Sequence, residues 1–359
     1  MKKALIFLPV ISTDGISKMT SEYIKNFSDD IQCEVLTLKI ENSMYFDKMN
    51  IKIHKLKSSQ NIIGKLKNEI NFMKNKNYDI LHVNGNSWHR LTECLAGKIA
   101  KIQKRIIHSH NNGTTNNSLK KRIINKIMKK FFDYFATNYI ACSEESAKRL
   151  FSKKIYTNNK YIILNNGICI ENFKFNNETR KLYRKKLEIE NNQMVIGFIG
   201  RLSYQKNPLF LLQILYEYKK INENVLLIII GTGELYKKLN VEAQKLNITN
   251  NIIFIGNVAN VNDFYNVMDC FILPSRYEGF GIVAIEAQTS GLKTILSNNV
   301  PKTTKINNET CYLPLDGPIE NWINEIKSNK NRENSYINAL KNNFEIKTVT
   351  KKLEKLYLN

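Results

Sequence analysis

Four consecutive apolar runs in the second half of the chain each stop at a glycine or a proline, and this repetition constrains the fold more than any other feature. Residues 195–200, 225–231, 252–256 and 270–273 are short and β-rich, and helical patterns at 209–221, 234–246, 261–268 and 282–290 follow them in turn. Two further β-type runs, 294–297 and 312–313, close the series. Strands alternating with helices at this spacing predict a doubly wound parallel sheet. In such sheets ligands bind beyond the carboxyl ends of the strands, where the glycines fall.

The first half shows the same alternation. Candidate strands are 4–8, 33–38, 51–54, 80–84, 104–108, 139–141 and 161–164, with helical patterns at 16–27, 62–75, 92–102 and 119–135. The stretches after three of these strands have ligand-site character: Asp14-Gly15, Asn84-Gly85-Asn86, and His108-Ser109-His110 followed by Asn-Asn-Gly. A polar segment with a helix near 179–187 separates the halves. We therefore expect an α/β protein with two Rossmann-like domains, 1–175 and 194–340, a hinge over 176–193, and a closing helix over 341–359 that packs back on the first domain.

With 359 residues the chain has enough length for two cores. Its 54 Lys+Arg outnumber 32 Asp+Glu, a net charge of +22 that calls for an anionic partner or reflects a general lysine bias. The six cysteines are scattered without a CxxC and sit mostly in apolar runs, which argues for a reducing, cytoplasmic setting and against structural zinc. The basic, apolar start MKKALIFLPVIST is interrupted at Pro9 and lacks a small-residue cleavage site, so it reads as a first strand rather than a signal peptide. No apolar stretch reaches the ~20 residues needed to cross a bilayer. Residues 119–135 combine an apolar stripe with Lys120, Lys121, Arg122, Lys126, Lys129 and Lys130. That pattern suits a helix lying on an anionic membrane surface, although the apolar stripe alone is equally what a core-facing helix shows.

The chemistry concentrates in the second half. Gly200-Arg201 ends a strand, and Lys206 follows in the next loop; a guanidinium fork and a mobile ammonium together suit a diphosphate. Gly231 repeats the strand-to-glycine pattern, and Val258 lies after the third strand end, where backbone can meet a nucleobase. The stretch PSRYEGFGIVAIEAQTSG, 274–291, places Glu278 before Gly279, Phe280 and Gly281 at a helix start, with Glu286 about one turn inside. Helix N-termini and nearby glycines favour anions. The GFGIVA segment also fits a loose dinucleotide fingerprint, but the next strand ends in Ser297-Asn298-Asn299 without the expected acid, so a dehydrogenase is set aside.

These motifs resemble glycosyltransferase family 4, the retaining, GT-B-fold enzymes with two facing Rossmann-like domains and a deep interdomain cleft. GRLSYQKNP (200–208), GTGEL (231–235) and the Glu278-x7-Glu286 spacing carry the likeness, and HSHNNG and ILNNGI resemble the bacterial capsular and exopolysaccharide branch. The resemblance implies that Arg201 and Lys206 stabilise the departing diphosphate, that Glu286 holds the nucleotide ribose, and that Glu278 contacts the donor sugar. It implies further that Gly279, Phe280 and Gly281 lend backbone amides, that His110 lies near the sugar across the cleft, and that Gly15 lets the first loop approach the phosphates. No metal or other cofactor is implied, and the two glutamates serve binding rather than a paired-carboxylate double displacement. The implied partners are a nucleotide-sugar donor (a UDP-sugar), a saccharide acceptor linked to a polyprenyl diphosphate, and the inner face of the cell membrane. Two departures stand out: Asp14-Gly15 replaces a pair of glycines, and Ile168-Cys169 follows Asn166-Gly167 where the family often has a hydrophobic residue and Asp. Alternatives are a UDP-sugar epimerase on the same fold and, far behind, a nucleic-acid-binding protein, for which no aromatic-interleaved basic surface, zinc or helix-turn-helix pattern is present.

Overall fold

The computed structural model describes residues 1–57, 59, 61–85, 87–110, 119–327 and 332–359; at 88 and 119–126 it describes the backbone only. The chain divides into two compact units, Met1–Gly167 with Ile346–Asn359, and Ile168–Glu345.

The first unit contains β1 (Lys2–Ile11), α1 (Gly15–Asn26), β2 (Ile31–Ile40), β3 (Lys52–Lys55), α2 (Ile62–Met73), β4 (Ile80–Asn84) and α3 (Leu91–Ile99). It continues through β5 (Lys104–Ser109), α4 (Leu119–Phe135), β6 (Asn138–Ala141), α5 (Glu144–Leu150), α6 (Lys153–Thr157) and β7 (Ile162–Ile163). The strands form one sheet in the order β3-β2-β1-β4-β5-β6-β7, with each pairing parallel. Alternation sends Leu5, Phe7, Leu81, Val83 and Ile107 into a single buried cluster with residues of α3 and α4.

The second unit begins with α7 (Asn177–Lys186) and runs through β8 (Met194–Ile199), α8 (Pro208–Lys219), β9 (Val225–Ile230), α9 (Tyr236–Lys245), β10 (Ile252–Gly256) and α10 (Val261–Val267). It continues with β11 (Cys270–Leu273), α11 (Ile282–Thr289), β12 (Lys293–Ser297), β13 (Thr310–Leu313), α12 (Ile319–Asn324) and α13 (Tyr336–Lys341). Its sheet order is β10-β9-β8-β11-β12-β13, again parallel throughout. The β9 sequence VLLIII is buried along its whole length, as a strand covered on both faces must be.

Two boundaries differ from the sequence-based expectation. The first unit stops at Gly167 rather than 175, and 176–193 is not a free hinge. Helix α7 is fastened to the second unit: Arg180 donates to the carbonyls of Asn266, Val267 and Met268 and pairs with Asp269 at 2.6 Å. The closing helix is also not continuous from 341. It breaks after α13, where Asn343 adopts φ 58° and the Phe344 carbonyl accepts from Ile168 N–H. A new helix, α14 (Ile346–Leu358), then joins the first unit, where Lys104 caps its last carbonyls, those of Leu356 and Tyr357.

Candidate active site

In the second unit the sheet order reverses between β8 and β11, so the loops after these two strands diverge from a common edge, the usual ligand position in an open α/β sheet. The loops are fastened together. Arg276 N–H donates to the Gln205 carbonyl at 2.8 Å, Gln205 Nε2 to the Tyr277 carbonyl at 3.1 Å, and an Arg276 guanidinium N–H to Asn207 Oδ1 at 3.0 Å. Within this frame Lys206 Nζ donates to Glu278 Oε1 at 2.5 Å, and Ser275 Oγ donates to the same oxygen at 2.6 Å. Both bonds converge on Oε1. Ser275 is itself anchored, since its carbonyl accepts from Ser297 Oγ at the end of β12.

Arg201 follows β8 with 77% of its side chain exposed, and its contact with Glu234 at 3.7 Å is a weak surface pair. Its guanidinium is therefore available to a ligand while its backbone is fixed by the neighbouring bond from Leu202 N–H to the Thr232 carbonyl. Gly231 adopts φ +130°, and a Cβ there would lie 2.1 Å from the Gly200 carbonyl oxygen. It is thus the close approach of the β8 and β9 ends that requires this glycine, whatever a ligand also asks of it. Val258 lies half-buried in the loop after β10.

Helix α11 starts at Gly281, in the left-handed region at φ 84°, and no side chain caps its first turn. Its leading N–H groups therefore remain directed at the loop edge. Gly279 is buried, and the Phe280 side chain packs on Phe344 at 5.9 Å between ring centroids, so what Phe280 can offer a ligand is backbone. Glu286 is only 1% exposed. Its Oε2 accepts from Tyr265 O–H at 2.8 Å, and half-exposed Ile282 and Val283 lie one turn ahead on the same helical face, toward the loop edge.

In the first unit Asp14 caps α1 by accepting from Ser17 N–H at 2.8 Å, and a Cβ on Gly15 would meet no heavy atom within 4 Å. His110 sits just past β5, its Nε2 2.7 Å from Asn84 Oδ1. Because that oxygen only accepts, Nε2 carries the proton. The neighbouring His108 ring lies 3.9 Å from that of His110, tilted by 33°, and His82 links His108 Nδ1 to the Tyr357 hydroxyl. Burial pulls the pKa values of His82 and His110 down to about 3 and that of His108 well below its ordinary value, so all three are neutral near pH 7.

The structure thus brings Lys206 and Glu278 into direct contact, places Arg201 and Gly231 at the adjoining strand ends, and seats Glu286 in the helix behind them. Sequence reasoning missed Tyr265 and the role of Ser275. Ser275 had a signal, the Ser-x-x-Glu spacing to Glu278; Tyr265 had none, because its partner lies on another helix. Lys120, Lys121, Arg122 and Lys126 have side chains outside the described residues. Among those described on α4, Lys129 is turned inward to the Lys148 carbonyl at 2.9 Å, while Lys130 is exposed. Among the described residues no cluster of three or more His, Cys, Asp or Glu could hold a metal ion, and no helix is long and apolar enough to cross a membrane.

Two parallel α/β units with a loop site at a strand-order reversal are the hallmarks of the GT-B fold, and comparison with solved structures agrees. The fold is similar over the full length of both chains to Anabaena Alr3699/HepE in complex with UDP and glucose, with a TM-score of 0.82 at 17% identity. Residues 179–341 match the family model described as glycosyl transferases group 1. It is 29% identical to the capsular polysaccharide biosynthesis glycosyltransferase CapM of Staphylococcus aureus over 64% of each chain. It is 28% identical to the Escherichia coli UDP-Gal:alpha-D-GlcNAc-diphosphoundecaprenol alpha-1,3-galactosyltransferase, over 75% of this chain and 67% of that one. The chain spans 61% and 64% of the length of the first curated relatives it matches.

Proposed function

We propose that the protein is a retaining glycosyltransferase of family 4 that transfers a hexose from a UDP-sugar to a lipid-linked saccharide during bacterial surface polysaccharide synthesis. The observation that carries this reading is the Lys206–Glu278 contact at the reversal of strand order, with exposed Arg201 on the next residue edge and the uncapped start of α11 behind it. Lys206 uses one of its three donors on Glu278, so the others can meet a phosphate oxygen. Arg201 adds a second cation that stabilises charge developing on the leaving diphosphate, a task that needs no metal ion. Glu278 Oε2 accepts from a sugar hydroxyl, and Glu286 accepts from the ribose. His110 is neutral, its proton is on Nε2, and the resemblance places it near the donor sugar. The donor assignment draws on the UDP and glucose named for the Anabaena structure, and the acceptor on the diphosphoundecaprenol named for the E. coli relative.

Helix α4 supports a peripheral position at the cytoplasmic membrane face. Phe132 is buried, and Met128 and Phe135 pack on the core. Ile127, Phe131 and Tyr134 are 53%, 42% and 68% exposed and recur at i, i+4 and i+7 beside Lys130. Exposed apolar side chains with flanking cations are what an interfacial helix needs.

Incubation with a panel of UDP-hexoses and a membrane lipid extract tests the reading. Release of UDP with a labelled lipid product supports it. Epimerised free nucleotide sugar would replace it with the epimerase reading, and absence of turnover with every donor would remove the UDP-hexose assignment.

A further inference from the structure

Glu286 stands out because it is buried and its known partner comes from a different helix. Tyr265 is on α10, and its hydroxyl reaches Glu286 Oε2 at 2.8 Å. Its ring has little freedom: Phe173 meets it edge-on at 5.7 Å and Phe271 lies 5.9 Å away. A second acceptor, the Val283 carbonyl, is 3.3 Å from the same hydroxyl. One proton serves one strong bond, and the shorter contact to a carboxylate is the stronger.

The helix that carries Tyr265 is held unusually firmly. The carbonyls that end α10 are its unsatisfied acceptors, and three arginines reach them. Arg180 donates to those of Asn266, Val267 and Met268, Arg184 to that of Val267, and Arg332 to those of Tyr265 and Met268. Arg332 also donates to the Ser290 carbonyl and hydroxyl at the end of α11, the helix of Glu286. One buried guanidinium, stacked over the Phe175 ring at 4.1 Å, therefore rivets the C-terminal ends of α10 and α11 together. Two helix dipoles point their negative ends at it, which compensates a buried cation. The Arg332 backbone lies 2.7 Å from where a Cβ on Gly291 would be, so Gly291 allows this close seat.

We propose that Tyr265 is a positioning residue for nucleotide binding: it orients the Glu286 carboxylate toward the ribose hydroxyls of a nucleoside diphosphate, and Arg332 sets the spacing of the two helices that makes the contact. The proposal rests on the reading of Glu286 as the ribose acceptor. The contact consumes a lone pair on Oε2 and fixes the plane of the carboxylate, so that the geometry offered to a cis-diol is set before ligand arrives.

The test is calorimetric. Wild type, Tyr265→Phe, Glu286→Ala and the double variant are titrated with UDP and with 2′,3′-dideoxy-UDP at fixed salt. Tyr265→Phe removes one oxygen and leaves the ring packing, so a fold retained by circular dichroism is expected. UDP affinity should fall about 10-fold, the size of a lost hydrogen bond to a charged group. The dideoxy nucleotide should bind as it does to wild type, and the Tyr265→Phe loss should vanish in the Glu286→Ala background. Equal weakening for both nucleotides would make Tyr265 merely structural and overturn the proposal, as would unchanged UDP affinity. If Glu286→Ala itself left UDP affinity unchanged, the ribose reading would fall first and this inference with it. Arg332→Lys, which keeps the charge but loses the planar fork, should narrow the preference for UDP over the dideoxy nucleotide in the same direction.

Discussion

Replacing Gly231 by alanine should damage the fold, whereas the same change at Gly15 should leave it intact, and the pair separates glycines required by packing from one free to serve a ligand. At Gly231 the new Cβ would lie 2.1 Å from the Gly200 carbonyl oxygen and 2.9 Å from its carbon. Both are backbone atoms, which cannot swing aside as a side chain would. Overpacking of this kind costs about 1–3 kcal/mol, and holding an L-residue at φ +130° adds about 1–3 kcal/mol. A total of about 2–6 kcal/mol in a unit of this size corresponds to a melting point lower by about 4–24 °C. At Gly15 the Cβ meets nothing within 4 Å, φ is not positive, and the residue opens a helix where alanine is favoured. Its melting point should stay within about 2 °C of wild type, a change of about 0.5 kcal/mol. Thermal unfolding followed by circular dichroism, with UDP titration of each folded variant, provides the readout. A Gly231→Ala protein that melts with wild type would refute the packing of the β8 and β9 ends. A Gly15→Ala protein that keeps both stability and UDP affinity would remove Gly15 from the donor site.

Three further outcomes are expected. Burial pushes the Glu34 carboxyl upward, but bonds from Tyr78, His54 and Lys3 outweigh it and hold the pKa at about 2. A depressed acid stabilises above its unfolded pKa and loses that contribution as pH falls. Urea midpoints should therefore show about 2 kcal/mol of pH-dependent loss between pH 6 and pH 3 that Glu34→Gln abolishes, and an unchanged slope in the variant would contradict the assignment. The neutral histidines act in a different window: their folded pKa values lie below the unfolded one, so stability present above pH ~6.5 should decline by about 1 kcal/mol per histidine by pH 5.5. Measurement of His108→Gln should give a flatter profile over this range, and an equally steep one would exclude His108 as the source. Finally, Lys206→Arg should cost more in kcat/KM than Arg201→Lys. The Lys206 stem lies against Gly200, with a Cβ there only 3.6 Å from its Cδ and Cε, whereas Arg201 is open to solvent. We expect a loss above about 100-fold for the first and about 10-fold for the second, and the reverse order in steady-state assays would count against the roles given to these cations.

The strands of both sheets were legible because parallel strands covered on both faces leave nearly unbroken apolar runs, as in β9, and because their ends carry glycine or proline. Residues 80–84, 252–256 and 270–273 coincide with β4, β10 and β11. Short helices were not legible. Neither α5 nor α6, at 144–150 and 153–157, is long enough to show an apolar period, and both are set by Ser143 and Ser152 as caps. The break between α13 and α14 was hidden for another reason: Asn343 and Phe344 fit a helical pattern locally, and it is the long-range bond from Ile168 that ends the helix. In the site, everything close in sequence was visible, including Glu278, the glycines and Glu286. Partners that meet only through the fold were not, as Tyr265 and Arg332 show.

That division has a physical counterpart in how the site is built. On the proposed reading, the diphosphate half consists of two loops joined by three bonds involving Gln205, Asn207, Arg276 and Tyr277, with Lys206 held by Glu278 and Arg201 left exposed. Exposed cations and loop contacts can adjust to a charge that moves from sugar to leaving group during reaction, which is when their stabilisation is needed. The proposed ribose half is the opposite: a buried carboxylate, a wedged phenol and two helices riveted by one arginine. The ribose does not change during transfer, so a rigid acceptor there loses nothing to reorganisation and can discriminate by hydroxyl geometry. The two glutamates, with seven residues between them, are on the proposed reading separated in role by what surrounds them. On the proposed reading, Glu278 shares a cation with the reacting end of the donor, and Glu286 is locked to recognise the end that stays behind.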